Sequence, residues 1–255
     1  MDDTTNENGV QEISLLESLN CEWIKLPLAV MQDVGPAVQT LGGLLKVTNR
    51  ETYTAVADIA ERARLPVGTV RKHLVTLDTA GWIVNKGREH TRRGRPRRTC
   101  TLSISKKASG AIAPYSVLPW WACCSIRKAG KLPWSAKAIL SVVLARLLSL
   151  KKAAEDEGNH LGDELIGAIE NLGGDERFSF SLDWLQAQTG LHRESVVTAK
   201  WHLHRLGIVG WSGGADENGG SRRDLLVPNW NFRVVVTPAS EGHIYISFDR
   251  GSERE

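Results

Sequence analysis

No stretch of this 255-residue chain stays apolar for the roughly 18 residues that a membrane helix requires, so no membrane association is expected. Its start, Met1-Asp2-Asp3-Thr4-Thr5-Asn6-Glu7-Asn8, lacks both the basic residues and the apolar core of a secretory signal. Cysteine is scarce: Cys21, Cys100, Cys123 and Cys124, with no C-x-x-C spacing. That set builds neither a disulfide framework nor a zinc site, and it suits small buried hydrophobes in a reducing cytoplasm. The nucleotide-binding G-x-x-x-x-G-K-[ST], the metalloprotease H-E-x-x-H and the hydrolase G-x-S-x-G are all missing. Gly42-Gly43-Leu44-Leu45-Lys46 sits in a helix-like apolar run and lacks the loop spacing that cradles phosphate. The expectation is a protein that is not an enzyme and takes no cofactor.

What is present is a globular composition, 42% hydrophobic and 24% charged, with an uneven charge distribution. The net charge is only +3. Residues 1–22 carry six acids and no Lys or Arg, and residues 151–177 carry eight acids against three basic residues. Between them, residues 46–105 hold thirteen Lys or Arg against five Asp or Glu. A strongly basic block between two acidic ones points to a polyanionic partner met by one part of the chain.

The chain repeats itself. Trp23-Ile24-Lys25-Leu26-Pro27 returns loosely as Tyr115-Ser116-Val117-Leu118-Pro119, an aromatic, two residues, then Leu-Pro. An apolar helical stretch follows each, 37–47 in the first copy and 135–150 in the second. In the second, Ile139, Val142, Val143, Ala145, Leu147 and Leu148 fall on a broad face at helical spacing. Further on, Val56-Ala57-Asp58-Ile59 through Leu65 aligns without a gap on Leu182-Asp183-Trp184-Leu185 through Leu191, at an offset of 126. The same offset pairs Val70 with Val196, Leu77 with Leu203, and Gly81-Trp82-Ile83 with Gly207-Ile208-Val209.

Each repeat has a physical reading. Val56, Ile59 and Ala60 form the inner face of a short helix, and Arg64-Leu65-Pro66 turns the chain into a second one. Val70, Leu74 and Leu77 line the inner stripe of that second helix, which Gly81 ends. Trp82-Ile83-Val84 and Thr101-Leu102-Ser103-Ile104 read as two strands around a polar loop. The order helix, turn, helix, hairpin resembles the winged helix-turn-helix domains of bacterial regulators over residues 53–104, and again over 178–228. The fold class expected is mainly α with small β-hairpins (α+β), two winged helix-turn-helix domains in tandem. Domain 1 spans 20–107 with a basic wing. Domain 2 spans 112–238 with an acidic insertion at 151–177. An acidic flexible N-terminus, 1–19, and a C-terminal tail, 239–255, flank them. Leu118-Pro119, Ser135-Ala136-Lys137-Ala138-Ile139-Leu140 and the insertion before the second helix-turn-helix are also similar to the N-terminal domain of some plasmid replication initiators, although an acidic, Gly-containing stretch replaces their aromatic-rich core.

The resemblance implies binding to double-stranded DNA. The second helix, 67–80, is the recognition helix, with Gly68, Thr69, Arg71, Lys72, Val75 and Thr76 outward. Arg71 or Lys72 is placed to read guanine O6/N7, and Thr69 to hold a phosphate or a base edge. His73 reads as a packed side chain. Residues 86–98 contain seven Lys or Arg and one acid, Glu89. Lys86, Arg88, Arg92, Arg93, Arg95, Arg97 and Arg98 therefore lie where a wing meets phosphates. Arg93-Gly94-Arg95-Pro96 also resembles the AT-hook, an extended segment that enters the narrow minor groove of A·T-rich DNA.

The second domain offers Arg193, Ser195, Thr198, Lys200, Arg222 and Arg223 as DNA contacts, but its helix also carries Glu194 and its wing carries Asp216 and Glu217. Direct DNA contact and a dimerisation or partner-docking role, including a homodimer, both fit. His192, His202 and His204 are read as solvated or packed rather than metal ligands, because residues i and i+2 face different sides of a helix. Trp120, Trp121, Trp134, Trp184 and Trp201 are read as core or interface. Three functions stand open: a transcriptional regulator, an origin-binding replication initiator of a plasmid or phage, and a winged-helix protein-interaction module.

Overall fold

The structure, a computed structural model, describes residues 11–15, 17, 22–47, 52–90, 96–105, 107–108, 113–126, 130–156, 180–212, 225–229, 232–238 and 244–249. It is a mixed α+β protein with seven α-helices and several small sheets among those residues. Two compact units divide it: Glu22–Cys123 together with Gln188–Gly190, and a second unit of Met1–Cys21, Cys124–Ala187 and Leu191–Glu255.

The first unit opens with β1 (Trp23–Pro27), α1 (Leu28–Val34) and α2 (Ala37–Val47). β2 (Thr52–Ala55), α3 (Val56–Ala63), α4 (Val67–Thr79), β3 (Ile83–His90), β4 (Pro96–Ile104) and β5 (Tyr115–Pro119) follow. β1 and β5 are the two aromatic-x-x-Leu-Pro segments, and they pair with each other, antiparallel, with Lys25 opposite Val117 and Trp23 opposite Pro119. Lys25 and Val117 are also equivalent positions of the repeat, so the register is symmetric about that pair. Val117, Leu118, Trp121 and Ala122 are buried. The first unit therefore runs to Cys123 rather than to 107, because β5 and the 3-10 turn after it complete the sheet and core begun at β1.

α2 is buried along 37–44, which explains why its apolar run shows no polar face. Its two glycines are packing sites. A methyl added at Gly43 would lie 2.6 Å from Ala63 Cβ, and one at Gly42 would lie 2.5 Å from the Lys25 carbonyl oxygen. The absence of side chains there lets α2 pack close to α3 and β1. The buried Gln39 Nε2 donates to the Ala63 carbonyl oxygen at 2.7 Å, satisfying an end-of-helix acceptor. It also lies 3.3 Å from Cys123 Sγ, so that cysteine is a core side chain.

Both turns of the helix pair close by the same hydrogen-bond logic. Arg64 adopts φ 53°, and Arg64 N and Leu65 N donate to Glu61 O and Ala60 O. At the end of α4, Gly81 takes φ 74°, with its N–H on Asp78 O and the Trp82 N–H on Leu77 O. These reverse the chain and satisfy carbonyls that the helix leaves open.

The second unit contains β6 (Ser125–Ile126), β7 (Gly130–Lys131), α5 (Trp134–Asp156), α6 (Leu182–Thr189), α7 (Arg193–Arg205), β8 (Val209–Ser212) and β9 (Leu225–Pro228). The last two residues of α6 are grouped with the first unit. α6, α7 and the start of β8 lie 126 residues after α3, α4 and β3. Gly207 repeats Gly81, with φ 77° and with the Ile208 N–H on Leu203 O. Phe180 bridges Leu226 as β2 bridges β4 in the first copy. α5 packs against α7, with Ile139, Leu140, Val143 and Leu144 buried on one element and Val196, Ala199 and Leu203 on the other.

Two expectations about the ends are corrected. Gln11–Ser14, inside the stretch expected to be flexible, is a strand paired antiparallel with Arg233–Pro238. Ile244–Asp249, inside the expected tail, pairs with the other side of Arg233–Pro238 and also runs parallel to β6. The result is a five-stranded sheet in which Ile13, Val234 and Val236 are buried. Burial of these apolar residues, combined with ladder hydrogen bonds, orders both segments. The acidic insertion also begins differently from expectation, since Lys151–Asp156 continues α5. Residues 157–179, like 1–10 and 250–255, lie outside the described residues.

Candidate nucleic-acid interface

α4 is held by Val70, Leu74 and Leu77, all buried. That stripe determines what the helix shows outward: Gly68, Arg71, Lys72, Val75 and Thr76 are exposed, and Thr69 is half-buried. Both cations are exposed, and among the described residues no hydrogen bond or ion pair engages the Arg71 or Lys72 side chain. Thr76 Oγ1 donates to the Lys72 carbonyl oxygen at 3.3 Å, so its hydroxyl is partly occupied by its own helix. His73 turns inward, its Nδ1 2.9 Å from Thr40 Oγ1 on α2. Burial holds its pKa below the ordinary value of 6.5.

The hairpin follows directly. β4 lies between β2 and β3, and Ile83 faces Ile104, Val84 faces Ser103 and Asn85 faces Leu102. The register shifts twice further out, where Arg88 faces Cys100 and His90 faces Pro96. The seven steps of β3 span about 23 Å at roughly 3.3 Å each, a rough upper length given the bulges. Lys86 and Arg88 lie on β3, and Arg97 and Arg98 on β4. Their side chains lie outside the described residues, as do Arg92, Arg93 and Arg95 altogether, which fall in the connection between the strands. The backbone thus carries four of the seven basic positions on a paired hairpin whose first strand begins at Ile83, four residues after α4 ends at Thr79.

The second copy presents a different surface. Arg193 and Thr198 are exposed and Ser195 is half-buried. Arg193 Nη1 donates to Asp183 Oδ1 at 3.0 Å, so this cation already faces a carboxylate. Lys200 is a correction: it is only 4% exposed, a core position rather than an outward one. It follows Val196 by four residues and precedes Leu203 by three, on the inner stripe of α7. The outward positions equivalent to Arg71 and Val75 are Val197 and Trp201, and Trp201 is 53% exposed. Arg222 and Arg223, with Asp216 and Glu217, lie outside the described residues.

The histidines of α7 do not converge. His204 Nδ1 donates to the Val209 carbonyl oxygen at 3.1 Å, while His202 Nε2 is buried without a hydrogen-bond partner among the described residues. Among those residues no group of His, Cys, Asp or Glu is arranged to hold a metal ion. No helix among them is long and apolar enough to cross a membrane. Of the tryptophans read as core or interface, Trp121 is fully buried and Trp201 is 53% exposed. Comparison with known protein families, with curated proteins and with solved structures finds no match to this chain.

Proposed function

We propose that the chain binds double-stranded DNA through α4 and the basic hairpin β3–β4, as a tandem winged helix-turn-helix protein of the cytoplasm that regulates transcription. The observation that carries this reading is the pairing of two exposed cations, Arg71 and Lys72, on the outward face of the second helix with a hairpin that begins four residues after that helix ends and carries Lys86, Arg88, Arg97 and Arg98 on its strands. Guanidinium and ammonium groups on the helix suit base edges in the major groove, and those on the hairpin suit the phosphate backbone. Arg93-Gly94-Arg95-Pro96 suits a narrow minor groove, where Gly94 allows close approach and the arginines meet the enhanced negative potential. The internal repeat also fits a two-module replication initiator. Sequencing of genomic fragments captured by the protein separates the two, since sites clustered at one origin favour initiation and promoter sites favour regulation.

The test is a salt titration on A·T-rich and G·C-rich duplexes of equal length. If about four hairpin cations meet phosphates, log K falls with log salt at a slope near −4 from this element, at about −0.9 per contact. Replacing Arg92, Arg93, Arg95, Arg97 and Arg98 with Ala flattens the slope and removes any preference for A·T-rich DNA. An unchanged slope rejects the hairpin as a DNA element. A changed slope without A·T preference in the parent keeps the phosphate role and removes the minor-groove one.

A further inference from the structure

Where the hairpin leaves the helix pair, three side chains from distant parts of the first unit meet. Trp82, the residue before β3, is buried, and its Nε1 donates to Asp33 Oδ2 on α1 at 2.6 Å. Lys107, three residues after β4 ends, places Nζ 3.9 Å from the centre of the Trp82 ring. The same Nζ donates to Ala80 O, the carbonyl at the end of α4, at 3.1 Å, and lies 3.4 Å from Asp33 Oδ2. Between the two ends of the hairpin, the Ser105 N–H donates to the Trp82 carbonyl oxygen at 3.1 Å. One ammonium group therefore touches the end of the helix, the aromatic ring at one foot of the hairpin and the carboxylate of α1, while its own backbone continues from the other foot.

The energetics say what such a group does. The Lys107 and Asp33 side chains are each about half exposed, and an ion pair of that kind contributes little to global stability. A cation over a tryptophan face at a part-exposed site is likewise modest. What these contacts supply is direction, because they tie both feet of the hairpin to the carbonyl of Ala80, the residue that caps α4. We propose that Lys107, acting with Asp33 through Trp82, is the positioning residue that sets the angle of the basic hairpin relative to α4, so that hairpin and helix engage one DNA duplex together. This rests on the DNA-binding reading above and names two residues outside both contact elements as part of its machinery.

The experiment compares Lys107→Met, Lys107→Arg, Asp33→Asn and the Lys107→Met/Asp33→Asn double variant of the full chain. Asp33→Asn keeps an acceptor for Trp82 Nε1 and removes the charge that Lys107 faces. Salt-dependent binding to a duplex is measured beside hydrogen exchange of the backbone amides at 83–85 and 103–104. With a positioning role, Lys107→Met and Asp33→Asn weaken binding by a similar factor, about five- to tenfold if roughly one charged contact's worth of free energy is lost. Both then flatten the salt slope, the double variant adds little to either, and Lys107→Arg restores binding by keeping the charge and the ring contact. If Lys107 instead contacts a phosphate directly, Lys107→Met lowers the slope by about 0.9 while Asp33→Asn leaves or raises affinity, and the positioning role is overturned. Hydrogen exchange separates this outcome from failure of DNA binding itself. A parent protein that does not bind DNA removes the functional reading. Unchanged exchange at the hairpin feet in both single variants removes the clamp.

Discussion

Lys200 occupies in α7 the position that Leu74 occupies in α4, 126 residues on, and both are buried, at 4% and 5% exposure. The charge of the side chain is subordinate here to its place on the helix: it follows the inner stripe of Val196 and Leu203. Lys200→Met is therefore expected to fold and to leave DNA affinity and its salt slope unchanged. Lys200→Asp, with its shorter side chain and opposite charge at a core position, should cost several kcal/mol, on the order of 3–5. Thermal melting and a salt titration check both. A slope lowered by about 0.9 in the Met variant would return Lys200 to the interface.

Arg71 and Lys72 are exposed on the outward face of α4. Arg71→Ala or Lys72→Ala should lower the preference for the cognate site over random DNA, by about 1–3 kcal/mol for a lost base contact. Melting temperature should stay within the error expected of a surface substitution. Competition binding with cognate and random duplexes measures the effect, and unchanged preference in both variants rejects α4 as the reading helix.

Gly43 and Gly68 should respond oppositely to a methyl group. At Gly43 the added carbon meets Ala63 Cβ at 2.6 Å and Ala63 N at 2.7 Å, and backbone does not yield like a flexible side chain. Gly43→Ala should destabilise by about 1–3 kcal/mol through overpacking. At Gly68 nothing lies within 4 Å, so Gly68→Ala should stabilise α4 by up to about 1 kcal/mol. Denaturant unfolding of the two variants settles the signs, and a stabilised Gly43→Ala protein would show that α2 and α3 pack less closely than described.

Two histidines are expected to make the fold sensitive to mild acid. Burial lowers the pKa of His73, and burial followed by the nearby Arg205 charge lowers that of His202, both from 6.5. Below 6.5 the unfolded chain takes up protons that these folded rings resist. The stability these two neutral rings contribute is therefore fully present above pH 6.5 and is lost as the pH drops from there toward the folded values. Melting temperatures should be lower at pH 5 than at pH 7.5, and the difference should shrink in a His73→Gln/His202→Gln variant. A pH dependence that the double substitution leaves intact would assign the effect to other groups.

Much of the helical framework is legible in the sequence. The inner stripes Val70-Leu74-Leu77 and Val196-Leu203, and the chain-reversing Gly81 and Gly207, place α4, α7 and their ends to within a residue or two, because helical periodicity and left-handed glycine are local properties. The same offset of 126 pairs Leu74 with Lys200, so the burial of Lys200 is a property of its position on the helix rather than of its charge. The strand at Gln11–Ser14 had a faint signal in alternating Ile13 and Leu15, and Ile244–Asp249 had a clearer one in Ile244, Ile246 and Phe248.

By itself the sequence determined the inner stripes and the glycine-marked ends of α4 and α7, and where positive charge concentrates, since each of these follows from a few neighbouring residues, whereas α1 and the extension of α5 to Asp156 came only with the structure. Tertiary structure alone decided which strands pair. β1 finds β5, its own repeat, and Gln11–Ser14 finds Arg233–Pro238 from the other end of the chain. It also decided that Lys107 reaches Trp82 and Asp33 at the foot of the hairpin. A strand satisfies its backbone only through a partner that local sequence does not specify, and a side-chain clamp exists only once packing has brought its members within reach.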